Sequence, residues 1–186
     1  MENVSSTVPA FLPALPEILL AVGGMCVLMF GAFRKGASAR ETSYGALGLF
    51  ALVAAILLIE PNTSQQAFGG MFVVDGFTRF MKILILVAAS AAIIMSLAYI
   101  RHEKMDSFEF PVLFVFSTLG MFMMVSANSL IALYMGLELQ SLALYVIAAF
   151  NRDSARASEA GLKYFVLGAL ASGMFLYGAS LIYGFT

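Results

Sequence analysis

The stretch FTRFMKILILVAASAAIIMSLAYI, at residues 77–100, decides the fold class. Its central run Ile83–Ala89 is apolar at every position, whereas the strands of a membrane barrel alternate apolar and polar residues. About 20 helical residues cross a hydrocarbon core of about 30 Å, and a helix satisfies its backbone hydrogen bonds within its own segment. The stretch therefore predicts a transmembrane helix.

Five further apolar stretches in the chain are long enough to do the same. We therefore predict an all-α integral membrane protein with a single membrane domain over residues 1–186 and no soluble domain. The six predicted spans are approximately 11–33, 42–60, 77–100, 110–127, 129–150 and 160–184.

The composition of the 186 residues excludes several other classes of protein. Hydrophobic residues make up 61% of the chain and charged residues 11%, against about 25% charged in ordinary soluble domains. This excludes a water-soluble enzyme domain and a disordered chain, and the net charge of −1 provides no basic surface for nucleic acid. Because Cys26 and His102 are the only residues of their types, the sequence offers no multi-cysteine cluster site and no HExxH zinc motif. We therefore expect no cofactor, no metal and no redox chemistry in this chain alone.

The lysines and arginines outside the spans predict the orientation. All seven occur in alternate loops, and the positive-inside rule places those loops on the cytoplasmic side. Both termini are then expected on the outer side of the membrane. The seven are Arg34, Lys35, Arg40, Arg101, Lys104, Arg152 and Arg156.

Glu138 is the strongest functional candidate. It lies about nine residues into the fifth predicted span, or about 14 Å at 1.5 Å per residue, which is near the membrane midplane. Tyr134, Glu138, Ser141 and Tyr145 are spaced by 4, 3 and 4 residues, so they form one polar stripe along a helix. Such a stripe can hold a file of water, and a buried carboxyl group near other charges can load and release a proton. The alternative is a glutamate that only joins helices by hydrogen bonds.

Lys163 is the second candidate. If the sixth helix begins near Ser158, Lys163 lies only about 8 Å deep, where it can extend its amine to the interface or pair with Glu159 at i−4. On the residues alone, a functional and a structural role are equally supported. Direct contact with Glu138 is not expected, because the two residues differ in depth by about 10 Å.

Four other charged residues lie at or near the start of a span. Asp75 is expected to cap the third helix, with Arg79 extending outward as an interfacial anchor and Lys82 doing so less easily. Glu17 follows Pro16 at the start of the first helix, where the helix dipole favours an acid. We expect these roles to be structural, and we expect residues 61–76 to form an ordinary outer loop.

Four blocks of the sequence, in this order, resemble the antiporter-like subunit N of bacterial proton-pumping NADH:quinone oxidoreductase, respiratory complex I. The block that contains Glu138 is the most specific, the block that contains Lys163 supports it, and the first block favours subunit N over its relatives. The blocks are Leu12–Leu19, Val74–Phe77, Asn128–Leu142 and Ser158–Phe165.

The resemblance implies a membrane-arm subunit of a respiratory enzyme, in which quinone reduction in other subunits drives proton translocation through this one. It assigns proton transfer to Glu138 and to Lys163. It also implies FMN, iron–sulfur clusters and quinone in partner subunits, other membrane subunits and lipid as partners, and the bacterial inner membrane, with the termini on the periplasmic side.

The chain departs from that family in length. Family members have about fourteen helices arranged around two inverted repeats, and a broken seventh helix carries the lysine that pairs with the glutamate of the fifth. Six helices correspond to the first part of that fold, so we expect a second chain or segment to supply the later helices, either as a split-gene product or because this sequence is a fragment. The alternatives are a non-catalytic membrane anchor or spacer, or a subunit of a related cation/proton antiporter or membrane hydrogenase.

Overall fold

A computed structural model describes residues 11–34, 39–59, 64–102 and 107–185. These residues contain six long helices, each of sufficient length and hydropathy to cross a membrane. The predicted number of membrane helices is therefore confirmed. The helices are α1 (Leu15–Phe33), α2 (Ala39–Ile59), α3 (Gly76–His102), α4 (Glu109–Ser126), α5 (Leu130–Ala148) and α6 (Ala155–Phe185).

Local sequence signals define several helix ends. Pro16 lies in the first turn of α1, where a missing backbone N–H costs nothing. Asp75 Oδ1 accepts hydrogen bonds from the Thr78 N–H at 2.8 Å and the Thr78 hydroxyl at 2.7 Å, so Asp75 caps α3 as predicted. Ser129 caps α5 by accepting from the Ala132 N–H at 3.2 Å.

The sixth helix begins earlier than predicted, at Ala155 rather than near residue 160. The Ser154 carbonyl accepts from the Ser158 N–H at 3.1 Å, and its hydroxyl group accepts from the Ala157 N–H at 3.4 Å. The apolar run of the sequence begins after this start of the helix, because Arg156 lies in the first turn and Glu159 directly follows that turn. Lys163 consequently stands eight residues after the start of the helix, about 12 Å from it, rather than the five residues expected for a start near Ser158.

Residues 65–74 do not form the ordinary loop that was expected. Strands β1 (Gln65–Ala67) and β2 (Phe72–Val74) pair antiparallel, and a 3-10 turn over Phe68–Gly70 joins them. Gly69 and Gly70 take positive φ angles of 66° and 86°, which glycine adopts without steric cost. We call residues 65–74 the hairpin, and the end of the helix bundle where it lies the hairpin end.

The hairpin is fixed to the turn between α4 and α5. The Asn128 side-chain amide donates to the Gly70 carbonyl at 2.8 Å, and the Asn128 N–H donates to the Met71 carbonyl at 2.9 Å. Phe72 also forms an antiparallel bridge with Ala127. The start of α5 and the hairpin therefore form one connected unit.

The core of the bundle lies among α1, α2, α3 and α4, with α4 in the centre. In the apolar 18-residue segment of α4, 56% of the residues are buried, whereas only 11% are buried in the corresponding segment of α6. The peripheral position of α6 leaves most of its surface free of contact with the rest of this chain. The main buried side chains of the core are Leu20, Phe50, Val53, Leu57, Ile93, Val115 and Phe122.

The described residues that flank the loops predicted to carry positive charge lie close together at the end of the bundle opposite the hairpin. The rings of Phe110, at the start of α4, and Phe150, after α5, are 5.1 Å apart, and Phe108 packs against Gly31 near the end of α1. Arg34 pairs with Glu41 across the first of these loops at 3.2 Å. Lys35, Lys104 and the side chain of Arg101 lie outside the described residues. The placement of this end on the cytoplasmic side stays a prediction.

Candidate functional site

Two faces of α5 have different neighbours, and this difference positions the predicted polar stripe. Gly136 faces α4 so closely that a Cβ atom there would stand 2.8 Å from the Met124 backbone nitrogen. Glu138 follows two residues later, about 200° around a helix of 3.6 residues per turn. The stripe therefore lies on the face of α5 turned away from α4.

The two tyrosines of the stripe contact α6. The ring of Tyr134 stacks on that of Phe175, with centroids 6.1 Å apart and an interplanar angle of 9°. Tyr145 is buried and packs edge-to-face on Tyr164 at 4.9 Å and Phe165 at 5.6 Å. Aromatic rings therefore lie one turn before Glu138 and two turns after it along the helix.

Glu138 and Ser141 lie between these two tyrosines and are half-buried. The Glu138 Oε1 atom is fully covered, and no described residue makes a hydrogen bond with it. A buried carboxyl oxygen without a partner is costly, so this atom is the chemically distinctive feature of the stripe.

Lys163 occupies a different surface. It stands two positions after Gly161, which packs on Ala149 of α5, so its side chain leaves the opposite face of α6. Its Nζ atom lies 2.6 Å from Glu159 Oε1, the i−4 partner anticipated from the sequence, and both side chains are more than 60% exposed. The structure therefore does not bring Glu138 and Lys163 together; α6 lies between them.

The structure also pairs two charged residues, Glu17 and Lys82, for which separate structural roles were expected. Lys82 Nζ lies 2.5 Å from Glu17 Oε1, and the side chains are 0% and 8% exposed. The expectation that Lys82 reaches the membrane surface is therefore wrong, and Glu17 is more than an acid at a helix start. The available signal was the opposite charge of two residues at the same end of their spans.

Comparisons with known proteins agree with the helix arrangement and with the resemblance. Residues 127–186 match the family model described as NADH:quinone oxidoreductase/Mrp antiporter, TM. Subunit N of NADH-quinone oxidoreductase from Parvibaculum lavamentivorans is 76% identical over 186 residues, which is all of this chain and 38% of that protein. The corresponding subunit N from Paramagnetospirillum magneticum is 58% identical over 175 residues, 93% of this chain and 36% of that protein.

The chain belongs to the subunit N family of NADH-quinone oxidoreductases. It spans less than two-fifths of the length of the two subunit N relatives described above.

Solved structures show where this fold occurs. Respiratory complex I from Thermus thermophilus with bound aureothin contains a chain that matches with a TM-score of 0.76 and 32% identity, over 92% of this chain and 37% of that one. An archaeal membrane-bound sulfane sulfur reductase matches with the same TM-score and 20% identity, over 93% of this chain and 37% of that one. The second match shows a shared fold alone.

The region that the family model matches contains α5 and α6, and hence both Glu138 and Lys163. It begins at residue 127, so Glu17 and Lys82 lie outside it. The match to the family model therefore includes Glu138 and leaves out the buried ion pair, whereas the match to subunit N from Parvibaculum lavamentivorans spans both.

Proposed function

We propose that this chain is the part of a subunit N that holds the proton-transferring glutamate of the membrane arm of NADH:quinone oxidoreductase. Glu138 carries the proposal: its carboxyl group lies within a membrane span, and its Oε1 atom is buried with no hydrogen-bond partner among the described residues. Ionisable groups within membrane spans are rare and are commonly functional.

The chemistry at Glu138 is a reversible proton transfer. A proton arriving at the carboxylate forms an O–H bond, and its departure breaks that bond again. Ser141 lies one turn further along the same face, and the hydroxyl groups of Tyr134 and Tyr145 complete a polar line along the helix. These groups can hold the water through which a proton reaches or leaves the carboxyl group.

Lys163 has a separate part in the proposal. Because its side chain projects from the uncovered face of α6, we propose that it faces helices supplied by the rest of the protein. Those helices provide the charged partner of Glu138 and continue the proton path. FMN, iron–sulfur clusters and quinone belong to partner subunits of the complex, which resides in the bacterial inner membrane with the hairpin end outward.

The variant Glu138→Gln in the full-length protein, within the intact complex, tests this function. Gln keeps the size of the side chain and loses the proton. We expect normal assembly on native gels and a reduced ratio of protons pumped to NADH oxidised in inverted membrane vesicles. Glu41→Gln is the matched control, because Glu41 is an acid in the first turn of α2 at the opposite end of the bundle.

The alternative functions predict different results. A purely anchoring subunit predicts that assembly and NADH oxidation fall in proportion, with an unchanged pumping ratio. An unchanged ratio in a fully assembled complex contradicts the role given to Glu138. Purification of the chain with hydrogenase subunits, or with no redox subunits, contradicts the assignment to NADH:quinone oxidoreductase.

A further inference from the structure

The ion pair between Glu17 and Lys82 is deeply buried in a chain whose helices are suited to lipid. Lys82 is fully covered although an amine on a flexible stem can usually reach water from near a helix end. Instead its Nζ atom lies 2.5 Å from Glu17 Oε1. The pair therefore links α1 to α3 inside the bundle.

Aromatic rings rather than hydrogen-bonding groups surround the amine. Lys82 Nζ lies 5.3 Å from the centre of the Phe72 ring on β2 and 5.6 Å from that of the Phe122 ring on α4. Both distances permit cation–π attraction. These two rings offer the ammonium group a second, weaker set of contacts when its carboxylate is neutralised.

Stability alone is a poor explanation for this pair. Removing two charges from water costs several kcal/mol per ion, and good geometry with further hydrogen bonds is needed to offset that cost. In the described residues, no hydrogen bond of ordinary geometry reaches either carboxyl oxygen of Glu17 or the amine of Lys82. Well-packed apolar side chains would join the two helices at least as well.

The pair lies beneath the hairpin and beside an apolar cavity. Phe72 of the hairpin covers the amine, and Asn128 fixes the hairpin to the start of α5. This cavity, of about 470 Å³, is open to the outside of the bundle and extends from Glu17 to Ile131 and Met135 of α5, and Glu17 is the only ionisable group among the described residues that line it. Met135 precedes Glu138 by three residues, so the cavity ends about one turn from Glu138.

We propose that Glu17 and Lys82 form a second proton-transfer site, at the hairpin end of the bundle. This inference rests on the proton-translocating function proposed above. A proton that reaches the Glu17 carboxylate forms an O–H bond and dissolves the ion pair, and the Lys82 ammonium group stays between the rings of Phe72 and Phe122. Loss of that proton restores the carboxylate and the pair.

The other ionisable groups on the surrounding elements are few. At the hairpin end, Asp75 directly precedes α3 and Arg79 lies near the start of that helix, one turn from Lys82. The one carboxyl group of α4 is that of Glu109, at its far end, and β2 has no ionisable side chain. A change in pH dependence caused by altering Glu17 can therefore be assigned to the pair and to its neighbours Arg79 and Asp75.

The test uses the double variant E17Q/K82M in the full-length protein and the intact complex, with E41Q as control and E138Q in parallel. Both charges disappear together, so no unpaired charge is left in the bundle. We expect assembly at the control level and loss of most proton pumping per NADH oxidised. Control-level pumping in an assembled double variant would overturn the proposal.

The variant E17D decides the matter if the double variant does not assemble. It keeps both charges but shortens the side chain by one methylene group, which moves the carboxylate away from Lys82. If the pair takes up and releases protons, the pH dependence of pumping should therefore shift. An E17D complex with the control pH profile, or one that also does not assemble, shows a structural pair and overturns the proposal. Normal pumping in E138Q contradicts the function proposed for Glu138. If pumping is impaired in E138Q but normal in E17Q/K82M, only the proposal of a second site is contradicted.

Discussion

Gly120 of α4 and Gly136 of α5 face each other where the backbones of these two helices are in contact. A Cβ atom at Gly120 would lie 2.7 Å from the Gly136 carbonyl oxygen, and one at Gly136 would lie 2.9 Å from the Gly120 carbonyl oxygen. Because small residues let helix backbones approach within membranes, this pair fixes which face of α5 meets α4. It thereby directs Glu138 away from α4 and toward α6.

The first prediction concerns this glycine pair. Gly120→Ala and Gly136→Ala each place a methyl group against backbone atoms, which cannot move aside as a side chain can. Overpacking of this kind costs about 1–3 kcal/mol, so we expect both variants to lower the temperature at which the complex loses its native-gel band. Gly48→Ala in α2 is the control, because nothing in the described residues lies within 4 Å of a Cβ atom at Gly48. Equal thermal stability of Gly120→Ala and Gly48→Ala would contradict the described contact.

The second prediction separates a role of Lys163 in proton pumping from its contribution to the stability of the complex. Its exposed pair with Glu159 is worth about 0.3–0.5 kcal/mol, so Lys163→Gln should leave assembly and thermal stability nearly unchanged. If Lys163 faces the later helices as proposed, the same variant should reduce pumping per NADH oxidised. Arg156→Gln, a charge loss in the first turn of the same helix, provides the comparison. Equal pumping in the two variants would remove Lys163 from the proposed path.

The third prediction concerns Asp75, whose cap on α3 depends on pH. Hydrogen bonds from the Thr78 backbone N–H and hydroxyl group hold the pKa of the Asp75 carboxyl below its ordinary value. A carboxyl with a lowered folded-state pKa stabilises the fold above its unfolded value, and this contribution is lost as the pH falls through the folded value. We therefore expect the protection of the Thr78 amide against hydrogen exchange to hold at neutral pH and to weaken in acid.

Asp75→Asn is the informative comparison for this cap. Asn is as good an N-cap as Asp, and its amide oxygen does not titrate. Its Thr78 protection should therefore show no acid-dependent loss beyond the ordinary pH dependence of exchange, whereas Asp75→Ala should lack the protection at every pH. Matching pH curves for the wild type and Asp75→Asn would show that the carboxylate is not the cap.

Residues close together in the sequence supplied most of the correct predictions. Six apolar runs predicted six helices, Asp75 caps the helix that follows it as predicted, and the 4-3-4 spacing predicted the stripe through Glu138. The hairpin was missed because its strands have only three residues each. Its stabilising contact with Asn128 comes from a residue 58 positions from Gly70.

The sequence by itself determined the membrane helices, the caps and the polar face of α5, since each of these depends on hydrophobicity or hydrogen bonding within a few turns of one segment. Only the tertiary structure decided which faces are covered. It paired Glu17 with Lys82, turned Glu138 toward α6 and left Lys163 on the uncovered side of that helix. The physical reason is that such pairings depend on how separate helices pack, and close contacts such as Gly120 with Gly136 set that packing.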